Sequence, residues 1–278
     1  MTVRACVVGW PISHSRSPLI HGYWLRRYGI DGSYETEAVK PENLMEFLRD
    51  LGDGRYAGCN ITIPHKEAAF SAVTAADEAT WRLGAVNTVF RRNGAILGTN
   101  TDGEGFLANI AAHVPNWNAT GEHAVILGAG GSARAIAGAL IDSGVATITV
   151  VNRSEDRAHS LCAMFGSQVN AHPWNESEAA LRGADILINT TSLGMKEQPA
   201  LDLSLDRLSP AAIVADIVYV PLETALIRSA RVRGHHTVSG LGMLLHQAVR
   251  GFELWFGVRP EVTRELYDLV AADIEALG

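Results

Sequence analysis

The chain has 278 residues, 47% of them hydrophobic and 19% charged, which excludes a disordered segment and leaves length enough for two domains with separate cores. A formal charge of −7 argues against a nucleic acid or an anionic membrane as partner, since either needs a basic face, whereas a small anion needs only a few local cations. Cys6, Cys59 and Cys162 are odd in number and lack a C-x-x-C pair, so neither a disulfide framework nor a zinc site is indicated, and a reducing cytoplasm fits best.

RACVVGW reads as a first strand, followed by a loop carrying Ser13, Ser15 and Ser17, with Pro18 placed to open the helix LIHGYWLRRYG. Hydroxyls crowded at a strand's carboxyl end suit a small polar anion; the plainer role of Ser15 and Ser17 is to cap the helix. SYETEAV has the alternation of a second strand, and PENLMEFLRDLG is a helix opened by proline and closed by glycine. In YAGCNITIPHKEAAF a third strand is broken by Pro64, and Lys66 stands just past its end. Asp77 and Glu78 begin a short helical piece. AVNTVFRR and AILGTN flank Asn93-Gly94, a strong hairpin signal, and the second of them runs into Asn100-Thr101-Asp102-Gly103.

Lys66 and Asp102 each follow a strand end, where open α/β sheets gather their ligand-binding groups. In a closed site such a lysine can exchange a proton as a hydroxyl becomes a ketone; on a surface the same pair is an ordinary ion pair of little worth. Asn60, Thr62, Asn87 and Thr101 add neutral hydrogen-bonding groups from neighbouring strands, with turn and cap chemistry as their alternative role.

EGFLANIAAHV is a connecting helix. After it, HAVILG reads as a buried strand that passes into Gly128-Ala129-Gly130-Gly131-Ser132-Ala133 and then the helical ARAIAGALIDSG. Gly128 permits the tight turn, Gly130 lets the backbone approach a pyrophosphate, and Ala133 is small enough for helix to pack on strand. A second strand, ATITVVNRS, ends in Asn152-Arg153-Ser154 with Arg157 one turn on. An NAD site would place an acid there, whereas a cation suits the 2′-phosphate of NADP. A glycine-rich turn with no ligand is the alternative, and the flanking strand, helix and basic end count against it.

SEDRAHSLCAMFG is a helix, followed by a short strand near residues 168–171; SEAALRGA is a helix; DILINTTSLGM and residues 213–219 hold further strands. This alternation predicts a parallel sheet with right-handed crossovers. His235-His236 beside glycine suits a loop. His14, His65 and His246 lack a second ligand at a helical or hairpin spacing, and there is no G-x-S-x-G, so neither a metal nor a serine hydrolase is implied. After Ser239-Gly240-Leu241-Gly242, MLLHQAVRGFELWFG is a long helix apolar nearly all round, which must be buried, and the first domain is the expected place. The longest apolar stretch, near residues 135–151, is broken by Asp142 and Ser143, so no membrane segment is expected.

From end to end these segments resemble the shikimate dehydrogenase family. SHSRSP, NITIPHK, GAVNT, NTDG, GAGGSARA, NRS with Arg157, NTTSLGM, DIVYVP and GLGMLLHQA carry the resemblance in order. It implies an α/β chain of two domains: an N-terminal substrate domain, residues 1–104 plus 240–278, and a Rossmann-type parallel-sheet NADP domain, residues 105–239. The implied reaction is the reversible reduction of 3-dehydroshikimate to shikimate with NADPH, in aromatic amino-acid biosynthesis. By resemblance Lys66 and Asp102 are catalytic, Ser15 and Ser17 hold the substrate carboxylate, and Thr62, Asn87 and Gln247 bind ring hydroxyls. Tyr219 joins the substrate contacts beside the nicotinamide, near Gly240 and Met243. Gly128, Gly130, Gly131, Ser132, Ala133, Asn152, Arg153, Ser154, Arg157 and Thr190 complete the cofactor set.

The family often writes NVTVPFK and NRT where this chain has NITIPHK and NRS; His65 thereby puts a second titratable group next to Lys66. Two other functions stay open: a dual-specificity quinate/shikimate dehydrogenase able to use NAD, and a non-catalytic dinucleotide sensor, which retention of both Lys66 and Asp102 disfavours. The expected partner is a small molecule, and the protein a cytoplasmic monomer or homodimer.

Overall fold

In the computed structural model, which describes residues 2–277, the chain divides into two compact units: Met1–Asp102 with Gln247–Val270, and Gly103–His246 with Ala271–Gly278. The first begins with β1 (Val3–Gly9), α1 (Ser17–Arg27) with Pro18 in its first turn, and β2 (Gly32–Ala38). Then come α2 (Leu44–Asp50) between two 3-10 turns, β3 (Gly58–Ile61), α3 (Lys66–Phe70) and a two-residue β4 (Thr74–Ala75). In α4 (Glu78–Leu83) the Asp77 side chain accepts from Thr80 N at 2.7 Å, an ordinary N-cap. β5 (Thr88–Arg92) and β6 (Ala95–Thr99) form the hairpin, with Asn93 and Gly94 at φ of 53° and 80°. α5 (Asp102–His113) follows.

The first unit's sheet has the order β2-β1-β3-β5-β6-β4, parallel across β2-β1-β3 and β6-β4 and antiparallel across β3-β5-β6. Register decides which side chains share a face. Ala5 pairs with Tyr34, Val7 with Asn60, and Asn60 with Thr88, so these five project from one side, while Cys6, Val8, Cys59 and Ile61 project from the other into a core with Leu44 and Leu48 of α2. The short Ala5 side chain leaves room for the Tyr34 phenol to lie across β1 towards Asn60. Gly58 makes a similar space: a Cβ there would sit 2.2 Å from Trp255 Nε1, which donates to Val89 O at 2.9 Å.

The second unit contains β7 (His123–Leu127), α6 (Gly131–Asp142), β8 (Thr147–Asn152), α7 (Glu155–Phe165), β9 (Val169–Pro173) and α8 (Ser177–Ala180). It continues through β10 (Ile186–Asn189), β11 (Ile213–Asp216), α9 (Ala225–Val232) and β12 (His236–Val238). α10 (Gly240–Phe256) carries the chain across the division, and α11 (Arg264–Leu277) ends it. The six strands run in the order β12-β11-β10-β7-β8-β9, all parallel, the doubly wound arrangement expected from strand–helix alternation. Along β7, Ala124 and Ile126 enter one core and Val125 and Leu127 the other, which explains why this strand reads as a continuous apolar run.

Three details depart from the spacing-based expectation. His236 lies in the edge strand β12 rather than a loop, because residues 236–238 pair with Ile213, Val214 and Ala215; three residues are too few to show a period. β11 stops at Asp216, before Tyr219, because Val218 N donates to the Asp216 side chain at 3.0 Å and not to a strand partner. The expected helix over SEAALRGA is a single turn, residues 177–180.

His21 of α1 is fully buried against this framework, stacked on Tyr34 at 3.9 Å and 10° with Trp24, Phe252 and Trp255 around it. Burial pushes its pKa down to about 3, against the opposing influence of Asn60. The unfolded chain therefore takes up a proton that the folded chain refuses. His21's contribution to stability is present above about pH 6.5 and is lost as the pH falls towards 3, at up to about 1.4 kcal/mol per pH unit. His21→Phe keeps an aromatic ring on Tyr34 and removes the titration. Measured by urea unfolding between pH 7 and pH 5, the variant's stability should fall by about 2 kcal/mol less than the parent's; equal falls would assign the proton to another group.

Candidate active site

Lys66 is the first residue of α3 and Asp102 the first of α5, and the two form an ion pair between Nζ and Oδ2 with side chains only 16% and 6% exposed. Charges that far from water must be hydrogen-bonded as well as paired. Asp102 Oδ1 accepts from Asn87 Nδ2 at 2.7 Å, and Asp102 N donates to Asn100 Oδ1 at 3.0 Å. The orientation of the Asn87 amide follows from a backbone group: Thr101 N–H can only donate, and it lies 2.9 Å from Asn87 Oδ1, so Nδ2 must face the carboxylate. Thr101 Oγ1 accepts from Asn87 Nδ2 at 3.0 Å and donates to Gln247 O at 2.8 Å, while Gln247 Oε1 lies 3.4 Å from the same Nδ2. Five of the residues singled out in the sequence, Lys66, Asn87, Thr101, Asp102 and Gln247, thus meet in one polar cluster.

Ser15 and Ser17 stand together, Ser17 N donating to Ser15 Oγ at 3.3 Å. Neither caps the helix: the N-cap of α1 is Arg16, with no side-chain cap, and Ser17 is the buried first residue of the helix. Thr62 N donates to Val8 O at 2.9 Å, and the Thr62 methyl fills the space that a Cβ on Gly9 would occupy. His65 is buried with Nε2 2.7 Å from Val39 O, a structural contact on the side of β2. Tyr219 lies in the loop after β11, in the second unit.

In the second unit Gly128 has φ of +103°, and a Cβ there would lie 2.6 Å from Thr190 Oγ1, which donates to Leu127 O at 2.7 Å. Only glycine fits between these two strand ends. Gly130 is the N-cap of α6 without a side-chain acceptor, and a Cβ on it would meet no atom within 4 Å. Beside it, Gly131 and Ser132 occupy the first two positions of α6, whose amide N–H groups have no partner within the helix, and a phosphate there fits the helix dipole. Ala133 is fully buried in the core beneath. Asn152 ends β8 with Nδ2 donating to Ser154 O at 2.8 Å, Ser154 caps α7, and Arg153 and Arg157 are exposed beside them. Gly240 lets α10 touch the loop after β11, since a Cβ would lie 2.3 Å from Ile217 O; Met243, one turn on, is buried in the apolar core. An NADP pyrophosphate and 2′-phosphate fit this donor set.

Asp216 is a functional candidate that spacing did not single out, although it opens DIVYVP. Its buried carboxylate accepts from Asn189 Nδ2 at 2.9 Å, Val218 N at 3.0 Å and Thr224 Oγ1 at 2.7 Å. Asn189 Oδ1 accepts in turn from Thr191 N and Oγ1 at 3.0 and 2.7 Å. The loops after β10 and β11 and the start of α9 are therefore tied to one side chain. Burial pushes the Asp216 pKa up, outweighing these three donors.

Family models match most of the length. Residues 7–89 match the shikimate dehydrogenase substrate binding domain, residues 109–202 shikimate / quinate 5-dehydrogenase, and residues 240–264 the shikimate 5′-dehydrogenase C-terminal domain. The shikimate dehydrogenase (NADP(+)) of Rhodopseudomonas palustris (strain BisB5) is 54% identical over 274 residues, 99% of this chain and 96% of the relative. Among solved structures, shikimate 5-dehydrogenase from Thermus thermophilus in complex with NADP(H) and shikimate superposes with a TM-score of 0.86 at 34% identity, covering 98% of this chain and 100% of that one. Quinate dehydrogenase from Corynebacterium glutamicum in complex with NAD gives 0.89 at 29% identity, covering 98% and 99%.

The Asp216 hub yields a stability prediction. Asp216→Ala orphans three buried donors and should cost about 2–4 kcal/mol in urea unfolding. Asp216→Asn keeps an acceptor for Asn189 and Val218 and removes a charge that burial disfavours, so it should stay within about 1 kcal/mol of the parent. Equal losses in the two variants would mean that the negative charge itself, and not the acceptor geometry, holds the loops.

Proposed function

The chain belongs to the shikimate dehydrogenase family of NADP-dependent oxidoreductases, and we propose that Lys66 and Asp102 are its catalytic pair, with the first unit holding the substrate and the second the nucleotide. The reaction is the reversible reduction of 3-dehydroshikimate to shikimate in aromatic biosynthesis, with NADPH supplying the hydride. The observation that carries the catalytic assignment is the water-poor ion pair, held by Asn87 at a strand end.

In the direction of reduction, the ring carbonyl oxygen needs a proton as its carbon takes hydride. Lys66 Nζ delivers it, and Asp102, fixed by Asn87, keeps the ammonium aimed and balances its charge. In the reverse direction Lys66 receives the hydroxyl proton. Ser15 and Ser17 are assigned to the substrate carboxylate, and Thr62, Asn87, Gln247 and Tyr219 to the ring. Gly128, Gly130, Gly131, Ser132, Ala133 and Thr190 would cradle the pyrophosphate, Asn152, Arg153, Ser154 and Arg157 the 2′-phosphate, and Gly240 and Met243 would flank the nicotinamide. A cytoplasmic location, supported by the three free cysteines, and a monomer or homodimer complete the proposal. Among the described residues no helix is long and apolar enough to cross a membrane.

Lys66→Ala should lower turnover by about 10²–10⁴ and leave the dissociation constant for NADP unchanged, since it removes proton transfer and no nucleotide contact. Steady-state kinetics with a separate NADPH fluorescence titration checks this; near-parent turnover would reduce Lys66 to an ion-pair partner.

For the cofactor, Arg153→Asp replaces a fork of donors by a carboxylate that repels the 2′-phosphate and can accept from a ribose hydroxyl. The ratio of kcat/KM for NADP to that for NAD should fall by about 30-fold or more. An unchanged ratio would transfer the role to Arg157.

A further inference from the structure

Behind Asn87 the polar cluster continues into the first unit's core. Tyr34 Oη donates to Asn60 Oδ1 at 2.5 Å, Asn60 Nδ2 to Thr88 Oγ1 at 3.2 Å, Thr88 Oγ1 to Asn87 Oδ1 at 3.0 Å, and Asn87 Nδ2 to Asp102 Oδ1 at 2.7 Å. All four of Tyr34, Asn60, Asn87 and Thr88 are buried. Backbone groups fix the direction at both amides. Asn60 Nδ2 also donates to the Asn87 carbonyl at 3.2 Å, which can only accept, so Asn60 Oδ1 must face Tyr34 and the phenol must donate. At Asn87 the Thr101 N–H does the same work in reverse, so Thr88 must donate as well. Every hydrogen in the series therefore points towards the Asp102 carboxylate.

We propose that Tyr34, Asn60 and Thr88 are positioning residues, a one-way hydrogen-bond relay that holds Asn87 against Asp102 and polarises its donor towards the carboxylate. The inference rests on the assignment of Asp102 to the catalytic pair. Hydrogen bonds aligned head to tail in a low dielectric strengthen one another, so a hydroxyl two residues removed from the carboxylate still bears on it. The register of the sheet makes the relay possible, since Tyr34, Asn60 and Thr88 share one face across β2, β1, β3 and β5. Burial drives the Tyr34 pKa well up, so its proton stays in place, and the stacked His21 ring holds the phenol in line.

The competing account is that these groups only satisfy one another in the core. Hydroxyl-specific variants of the full chain separate the two. Thr88→Val and Tyr34→Phe remove one hydroxyl each at nearly constant shape, and each should lower kcat for shikimate oxidation by about 3- to 10-fold, the worth of one ordinary hydrogen bond. KM for NADP should not move. Because both act through one series, the double variant should be no slower than the slower single one. Thr88→Ser keeps the hydroxyl and loses a buried methyl, so it should lower Tm and yet restore kcat. Parent kcat in Thr88→Val with only a lower Tm, multiplicative losses in the double variant, or a Thr88→Ser as slow as Thr88→Val would each overturn the relay. Undiminished turnover in Asp102→Ala is a different result, which would instead remove the catalytic assignment beneath it.

Discussion

The structure of the first unit turns on one constraint: an ion pair, Lys66 with Asp102, held where little water reaches it. A buried charge must be hydrogen-bonded as well as paired, because pairing alone repays only part of the desolvation. The remainder comes from Asn87, whose amide is oriented by the Thr101 N–H, and from the first turn of α5, where Asp102 N is tied to Asn100. The β5-β6 hairpin exists in the register that brings Asn87 beside Thr101, since Thr88 pairs with Thr99. The polar pair thereby dictates neutral polar residues at interior positions of a sheet that would otherwise be filled by aliphatic side chains.

The second unit solves a related problem with one carboxylate and no cation. Asp216 sits on the last residue of β11, and its three donors come from β10, the following loop and the α9 cap. Loops at the carboxyl ends of parallel strands are where a dinucleotide fold binds its ligand, so they must be shaped without being filled. A buried acceptor does this, at the expense of an ionised form that burial disfavours. The Gly128–Thr190 contact sets the neighbouring turn in the same way, by backbone approach and a hydroxyl rather than by bulk.

Much of this was legible in the sequence because the signals are local. Strand, glycine turn, helix and basic strand end occupy residues 123–157 without interruption, and the Asn93-Gly94 hairpin needs only its flanking alternation. Lys66 and Asp102 stood out as charged residues just past strand ends. Two-residue and three-residue strands, β4 and β12, were not legible, since they are defined by pairing with β6 and β11 and carry no period of their own. His65 looked like a neighbour of Lys66, but its buried ring is engaged by the Val39 carbonyl.

The sequence by itself determined the doubly wound sheet, the family and the charged pair, because each is encoded by residue type and short spacing. Only the tertiary structure decided which neutral groups serve that pair. Tyr34, Asn60 and Thr88 lie on three different strands, and alternation within each strand says neither that they share a face, which is set by register, nor that the face is buried. The answer comes from α1 and from α10, whose Gln247 and Trp255 meet Asn87 and Val89 from 160 and 166 residues away. Hydrogen-bond direction is decided later still, by two backbone groups, Thr101 N–H and Asn87 C=O, whose positions exist only once the strands have paired. A side-chain amide can point either way until a group that can only donate or only accept stands beside it.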